Sequence, residues 1–354
     1  MLRGAIGLVL GGLLLSGAAG GQETRDRDKK DKVFRGEITV SLMPVAVRVV
    51  DDAGHPILGL KPEDFRVRVG RREIPVVGLD WIGDGEAESS IPLPVPAGAD
   101  SGEAIEPPPP LPGRLVVFFV QADLNPTRIS GQLRMRPYTR ELLGTLKPRD
   151  RAAVVSFDSH LKLWQDFTAD RAALHAALDE AMLYSHEHAV APGDSVSLAE
   201  HLDREAAFRA ASAERSLEIV GRALQPLPGE KTLIFLGYGL GRYGSDGVHM
   251  TPDYKPAIQA LGEAHAAVFV LDVTSADAHS LEIGLESVAE ATGGLYFKTF
   301  RLPELATDVL ARAISGHYVL TLDRSQLPER GGDLTIELRK KRGNVLARAA
   351  AVSR

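Results

Sequence analysis

Cysteine is absent from all 354 residues. That excludes disulfides, thiolate zinc sites, iron–sulfur clusters and cysteine nucleophiles. Excess charge of one sign is nearly absent too. The 41 Lys and Arg stand against 47 Asp and Glu, a formal net charge of −6, which gives no electrostatic footprint for nucleic acid or anionic lipid. Aromatic residues make up 6% of the chain, with two Trp. Trp81 and Trp164, like the scattered Tyr, read as core or interface residues. Beyond the amino terminus no apolar run approaches the roughly 20 residues that span a membrane, and there is no internal repeat. What is present is a globular composition, 44% hydrophobic and 25% charged. The length suits about two domains at roughly 150 residues each, or one large domain with additions.

Arg3, the apolar run Ala5–Leu15 and the small residues Ser16–Gly20 have the shape of a secretory signal peptide over 1–20, cleaved near Gly20. An uncleaved anchor is the rival reading. With no Cys after the run, a lipoprotein anchor is excluded. The expectation is a periplasmic or secreted mature chain without a transmembrane span. Residues 21–32 (QETRDRDKKDK from Gln22) form a charged linker too polar to bury.

Residues 33–82 have period two: Ile38, Val40 and Leu42, then Val45, Val47 and Val49, followed by a turn at Asp51-Asp52-Ala53-Gly54. Phe65–Val69 and Ile74–Trp81 read as further strands. Residues 83–112, with Pro107 to Pro110 and Pro112, form a Pro-rich linker.

From 113 to 315 apolar strands alternate with amphipathic helices. Strands are expected at Arg114–Gln121, Ala152–Phe157 with a hairpin partner Leu161–Phe167, Thr232–Leu236, Val268–Leu271 and Leu295–Phe297. Helices are expected at Tyr138–Leu146, from an Asp170 N-cap to Ala181, as one long helix over Leu198–Leu224, and near Pro256–Ala264, Leu281–Ala291 and Pro303–Ile314. The alternation predicts an α/β fold, a Rossmann-like, doubly wound, mostly parallel sheet, whose ligands sit at the carboxyl ends of its strands. The tail, 316–354, returns to short strands that can pack with 33–82 as a small accessory β domain.

Several groups of residues invite a chemical reading. Asp123-Leu124-Asn125-Pro126-Thr127 sets a carboxylate, an amide and a hydroxyl at alternate positions after the first α/β strand. Those oxygens can converge on a hard cation, and they equally make an Asx-Pro turn that bonds its own backbone. Gly239-Leu240-Gly241-Arg242-Tyr243-Gly244 matches G-x-G-x-x-G, with Asp272 at the end of the next strand. A dinucleotide site needs a helix to open at the third Gly, whereas Gly247, Pro252 and Pro256 predict loop. His186, His188 and His201 with Asp194 offer zinc donors without i, i+4 spacing, against the plainer reading of solvated surface histidines. Ser156, Asp158 and His160 alternate on strand-like backbone, without a nucleophile elbow or an oxyanion glycine pair.

In order along the chain, Val45–Phe65 (VAVRVVDDAGHPILGLKPEDF), Leu115–Asn125, Pro148–Phe167 (PRDRAAVVSFDSHLKLWQDF), Pro228–Gly239 (PGEKTLIFLGYG), Ala266–Val273 and Ala289–Phe297 (AEATGGLYF) resemble the VWFA-related proteins of acidobacterial type. These are a branch of the von Willebrand factor type A superfamily. The resemblance covers most of residues 33–354. It implies an α/β domain with a metal-ion-dependent adhesion site on its carboxyl-edge loops. There D-x-S-x-S, a Thr and a later Asp hold Mg²⁺ or Mn²⁺, and a partner's carboxylate completes the coordination. Asp123 matches the first Asp, while Asn125 and Thr127 replace Ser with other oxygen donors. The Thr position falls near Ser195-Val196-Ser197. The later Asp is replaced by Gly237-Tyr238-Gly239, which removes a charge that orients the metal's ligands. Asp246 lies too far along to stand in for it.

The functional expectation is an exported, non-enzymatic protein-interaction or adhesion module. Its degenerate site consists of Asp123, Asn125, Thr127, Ser195 and Ser197, with Mg²⁺ or Mn²⁺ as candidate cofactor. A partner-binding edge is formed by Gly237, Tyr238, Gly239 and Arg242, and the partner is a protein presenting a carboxylate. Two other readings stay open. One is a metal-assisted hydrolase using His186, His188 and His201, or Asp158 and His160. The other is a metal-independent envelope scaffold.

Overall fold

The computed structural model describes residues 41–83, 113–183, 186–190, 193, 196–229, 231–339, 342–348 and 351–352. The expected signal peptide, charged linker and Pro-rich linker lie outside the described residues, apart from Gly83 at the linker's start. No described helix is long and apolar enough to cross a membrane.

Before the Pro-rich segment come β1 (Leu42–Val50), β2 (Phe65–Val69), β3 (Arg72–Ile74) and β4 (Val76–Ile82). After it come β5 (Leu115–Gln121), α1 (Pro126–Gly144), β6 (Arg151–Phe157), β7 (Leu161–Thr168), α2 (Arg171–Met182), α3 (Arg204–Phe208) and α4 (Ala213–Leu224). The chain continues through β8 (Lys231–Gly237), β9 (Arg242–Gly244), β10 (Gly247–His249), α5 (Tyr254–Glu263), β11 (Ala266–Asp272), α6 (Glu282–Thr292), β12 (Tyr296–Lys298) and α7 (Pro303–Ala313). It ends with β13 (His317–Asp323), β14 (Gly332–Leu338), β15 (Asn344–Ala347) and β16 (Ala351–Val352).

β5 is buried at every one of its seven positions, as its unbroken apolar run requires of a central strand. Alternate side chains serve two cores. Leu115, Val117 and Phe119 pack with Leu217 and Val220 of α4, Leu261 of α5 and Leu285 of α6. Val116, Phe118 and Val120 pack with Met135 and Leu142 of α1, Leu174 of α2 and Leu310 of α7. The strand order is β12-β11-β8-β5-β6-β7, parallel except for β7, which returns from β6 as a hairpin. The fold is therefore the doubly wound α/β sheet that the sequence predicts. From β5 the chain builds outward first to β6 and later, on the other side, to β8. The carboxyl ends of β5 and β8 thus flank the point where the winding reverses, the place where such sheets form a crevice.

The remaining strands form two antiparallel four-stranded sheets, β15-β1-β13-β4 and β16-β14-β2-β3. They enclose a separate core that includes Val47, Phe65, Val67, Leu79, Tyr318, Leu320 and Ile336. Segments before and after the α/β unit contribute to both sheets. This accessory unit meets the amino ends of the parallel strands: Arg48, 5% exposed, lies 5.3 Å from the Phe269 ring centroid and donates to Thr232 Oγ1 at 3.4 Å. The carboxyl ends lie at the other end of the same strands.

Two elements differ from the sequence reading. The helix expected at 138–146 begins at Pro126 and runs through Pro137. Pro137 and Leu133 are both exposed, so the Leu133 carbonyl that loses its intrahelical partner lies on the solvent side. The buried stripe Gly131, Gln132, Met135, Thr139, Leu142 and Leu143 holds the helix despite the proline. The single helix expected over 198–224 is divided into α3 and α4. Asp203 accepts from Ala206 N–H at 2.9 Å and Ser212 Oγ from Arg215 N–H at 3.0 Å, and each starts a new helix where the composition predicts continuity.

Candidate functional site

Gln121, Gly237, Asp272 and Lys298 end neighbouring parallel strands at one edge of the sheet. Side chains tie the loops of that edge together. Gln121 Nε2 donates to Gly239 O at 2.9 Å, and its Oε1 accepts from Tyr238 N–H at 2.9 Å. Gln132 of α1 donates to the Gln121 carbonyl. Glu214, buried on α4, accepts from Gly241 N–H at 2.8 Å. Gly239 has φ +152°, and a Cβ there would stand 2.5 Å from the Leu281 side chain; only glycine allows that approach. α1 docks equally closely, since a Cβ on Gly131 would lie 1.8 Å from the Val273 carbonyl oxygen.

Asp123 leaves β5 at the switch point. Its Oδ1 accepts from Asn125 N–H at 2.8 Å, and its Oδ2 is ion-paired to the Arg128 guanidinium. Asn125 is the N-cap of α1, and its Oδ1 accepts from Thr127 N–H at 3.0 Å and from Thr127 Oγ1 at 2.7 Å. Arg128 also stacks 3.9 Å over the Tyr238 ring. Tyr238 belongs to the Gly237-Tyr238-Gly239 segment where the resemblance expects the later Asp. The Asx-Pro turn read from the sequence is thus formed. The Asp123 and Asn125 oxygens that the resemblance offers to Mg²⁺ or Mn²⁺ accept from protein donors, Thr127 Oγ1 donates to Asn125, and the cation beside Asp123 is a guanidinium. As arranged, these three residues do not fit a divalent ion.

Ser195 lies outside the described residues. Ser197 is not brought to Asp123: its hydroxyl donates to Asp166 Oδ2 at 2.6 Å. Asp166 lies on β7 between Gln165, opposite Val154, and Thr168, opposite Ala152, in the amino half of the sheet. It is fully buried and also receives Phe167, Gly193, Leu198 and Ala199 N–H groups. Gly237, Tyr238 and Gly239 do line the carboxyl edge. Arg242 stands exposed on β9, in a hairpin with β10. Because a strand rather than a helix holds the third Gly, the dinucleotide motif is not realised.

The histidines lie as the plainer of their two readings has them, at the surface. His186, His188 and His201 are exposed, and among the described residues they belong to no three-ligand group; Asp194 lies outside those residues. Ser156 is buried and accepts from Trp164 Nε1 at 2.8 Å, so it does not face His160. Burial alone would raise the Asp158 pKa, but Lys162 and the Ser159 N–H and O–H outweigh it and hold the carboxyl below its ordinary value. His160 lies between Ser159 Oγ at 3.0 Å and Glu187 Oε2 at 3.1 Å. It lines a cavity of about 400 Å³ with His188, Arg204 and Phe208.

Arg128 was not legible as a site residue, although it left a signal. A cation in the first turn of a helix opposes the helix dipole, so such a residue calls for a local anion, here Asp123.

No family model and no curated protein matches the chain. Among solved structures it is similar to the von Willebrand factor type A protein from Catenulispora acidiphila, at 12% identity over 84% of this chain and 75% of that one, with a TM-score of 0.38. It is similar to BatB from Bacteroides thetaiotaomicron at 13% identity over 57% and 99%, TM-score 0.35. A third likeness is to the pilus adhesin SpaC from Lactobacillus rhamnosus GG, at 10% identity over 75% and 34%, TM-score 0.37. None of these likenesses transfers a site residue to this chain.

Proposed function

We propose that the chain is a non-enzymatic protein-interaction module, exported after loss of residues 1–20. It takes its partner at the carboxyl edge of the six-stranded sheet, with Arg128 as the fixed cation for a partner's carboxylate. The observation that carries this reading is the placement of Arg128, ion-paired to Asp123 and stacked on Tyr238 at the switch point. A guanidinium has five N–H donors in a planar fork. Asp123 engages part of the fork and Tyr238 covers one face, in a side chain that remains 35% exposed. Leu124, on the loop after β5, and Tyr243, on β9 of the hairpin that follows β8, are each 73% exposed and supply apolar surface of the kind that anchors interfaces.

The test is capture of partners from an extract of the source cell on the mature chain. Binding is expected to survive EDTA and to be lost in Arg128→Ala. A partner retained by Arg128→Ala would refute the edge and favour the scaffold reading. Calorimetric titration with Mg²⁺ and Mn²⁺ is expected to give no heat of binding. Micromolar affinity that Asp123→Ala abolishes would return the site to its metal-dependent form.

A further inference from the structure

We infer that Asp272, His279 and Glu282 form a site for a transition-metal cation of the Zn²⁺ class at the carboxyl end of β11. Each residue offers one ligand atom, and the three atoms lie within 4.8 Å of one another. Asp272 ends β11 and is 2% exposed; His279 comes from the following loop and Glu282 from the first turn of α6. The imidazole and the Asp272 carboxylate already meet, His279 Nε2 lying 2.8 Å from Oδ2. Tyr296 donates its hydroxyl to the same oxygen at 2.6 Å, and Thr274 N–H holds the other at 3.0 Å. The carboxylate is therefore aimed and supported, as metal ligands generally are. Donors bound to one ion at about 2.0–2.2 Å stand roughly 3–4 Å apart, a spacing that small side-chain rotations reach here.

The groups around the three donors leave room for a cation. Glu282 Oε2 is shielded from water and held by its ion pair with the Lys298 ammonium, 3.0 Å away. Thr274 Oγ1, on the residue whose N–H holds Asp272, is buried without a hydrogen-bond partner. Buried polar atoms left in this state are uncommon in folded proteins. Arg134 reaches the same loop but donates to the Val273 and Thr274 carbonyls rather than to the carboxylates. Lys298 is 45% exposed, so an incoming dication can displace its ammonium into water while His279 Nε2 gives up its proton. One imidazole with two carboxylates is a poor match for Mg²⁺, Ca²⁺ or Mn²⁺, which favour oxygen ligands, and suits Zn²⁺ or Co²⁺.

The experiment is calorimetric titration of the full chain with Zn²⁺, with the visible absorption of Co²⁺ as a second readout. One ion per chain is expected. Affinity should fall about tenfold or more in His279→Ala and in Glu282→Gln, rise in Lys298→Met, and stay unchanged in Asp123→Ala and His188→Ala. Far-UV circular dichroism of each variant separates lost ligation from lost folding, and the exposed-side Lys298→Met change gives a gain that misfolding cannot mimic. Absence of binding at submillimolar Zn²⁺, or binding that persists in His279→Ala or disappears in His188→Ala, overturns the assignment. Either result leaves the Arg128 reading standing, because Asp123→Ala is silent in this assay.

Discussion

Replacing Asp166 tests how the segment around Ser197 is held on the edge strand. The carboxylate is fully buried and receives Phe167 N–H and Gly193 N–H at 2.8 Å, Ser197 Oγ and Leu198 N–H at 2.6 Å, and Ala199 N–H at 3.4 Å. Asp166→Ala removes the acceptor and leaves four close donors without it. An orphaned buried donor costs about 1–3 kcal/mol, but residues 193–199 can open and rehydrate some of theirs. The expected loss is about 3–4 kcal/mol, a large share of the roughly 5–15 kcal/mol that keeps a typical domain folded. Asp166→Asn keeps one carbonyl oxygen and turns an NH₂ toward two donors, so about 2 kcal/mol is expected. Ser197→Ala removes a single donor and should cost about 1 kcal/mol. Urea unfolding followed by Trp164 fluorescence gives the three values, and hydrogen exchange at Leu198 and Ala199 localises them. If Asp166→Ala lies within about 0.5 kcal/mol of the parent, or if exchange at Leu198 is unchanged, the anchoring argument fails.

Gly131→Ala should destabilise by about 1–3 kcal/mol through overpacking against the Val273 carbonyl, opposite in sign to the gain that helix propensity alone predicts; thermal melts decide the sign. Burial by itself would raise the Asp150 pKa, but the Arg114 guanidinium and the Lys147 and Arg114 N–H groups outweigh it and hold the carboxyl below its ordinary value. The stabilisation is therefore present above about pH 4 and lost as pH falls through the folded-state pKa. Asp150→Asn should cost roughly 2–4 kcal/mol at neutral pH and flatten the acid limb of a stability–pH curve; an unchanged limb would count against the pairing. Ester and phosphoester probes should show no turnover, and turnover abolished by His160→Ala would revive the hydrolase reading.

Much of the α/β unit was legible because its signals are local. The run Leu115–Gln121, the β6–β7 hairpin and the Asp170 cap, which accepts from Ala172 N–H at 2.8 Å, follow from hydrophobicity and capping alone. The first half of α1 was hidden because Pro137 reads as a breaker, and only the buried stripe beneath it shows otherwise. The candidate site was half visible. Asp123 and Tyr238 do stand at the carboxyl edge where they were read, but only the resemblance, and no local signal, set Ser197 beside them. A buried carboxylate 31 positions earlier holds it instead. Nothing local to His279 marks it either. Its meaning comes from Asp272 and Tyr296, and Tyr296 sits on β12, across the sheet register from Val270.

Ile82 at the end of β4 lies opposite His317 at the start of β13, so the whole α/β unit is inserted between two adjoining strands of the accessory β unit. Contacts within the insert close over shorter loops than those joining β1 to β13, and loops of lower contact order close first. The accessory unit then behaves as a latch that shuts only when the last segment of chain arrives. A chain cut before β13 leaves β1 with neither neighbour and bares Val47, Val49 and Leu79. Such a product is open to proteolysis, so the molecule is durable only once its last strands have closed.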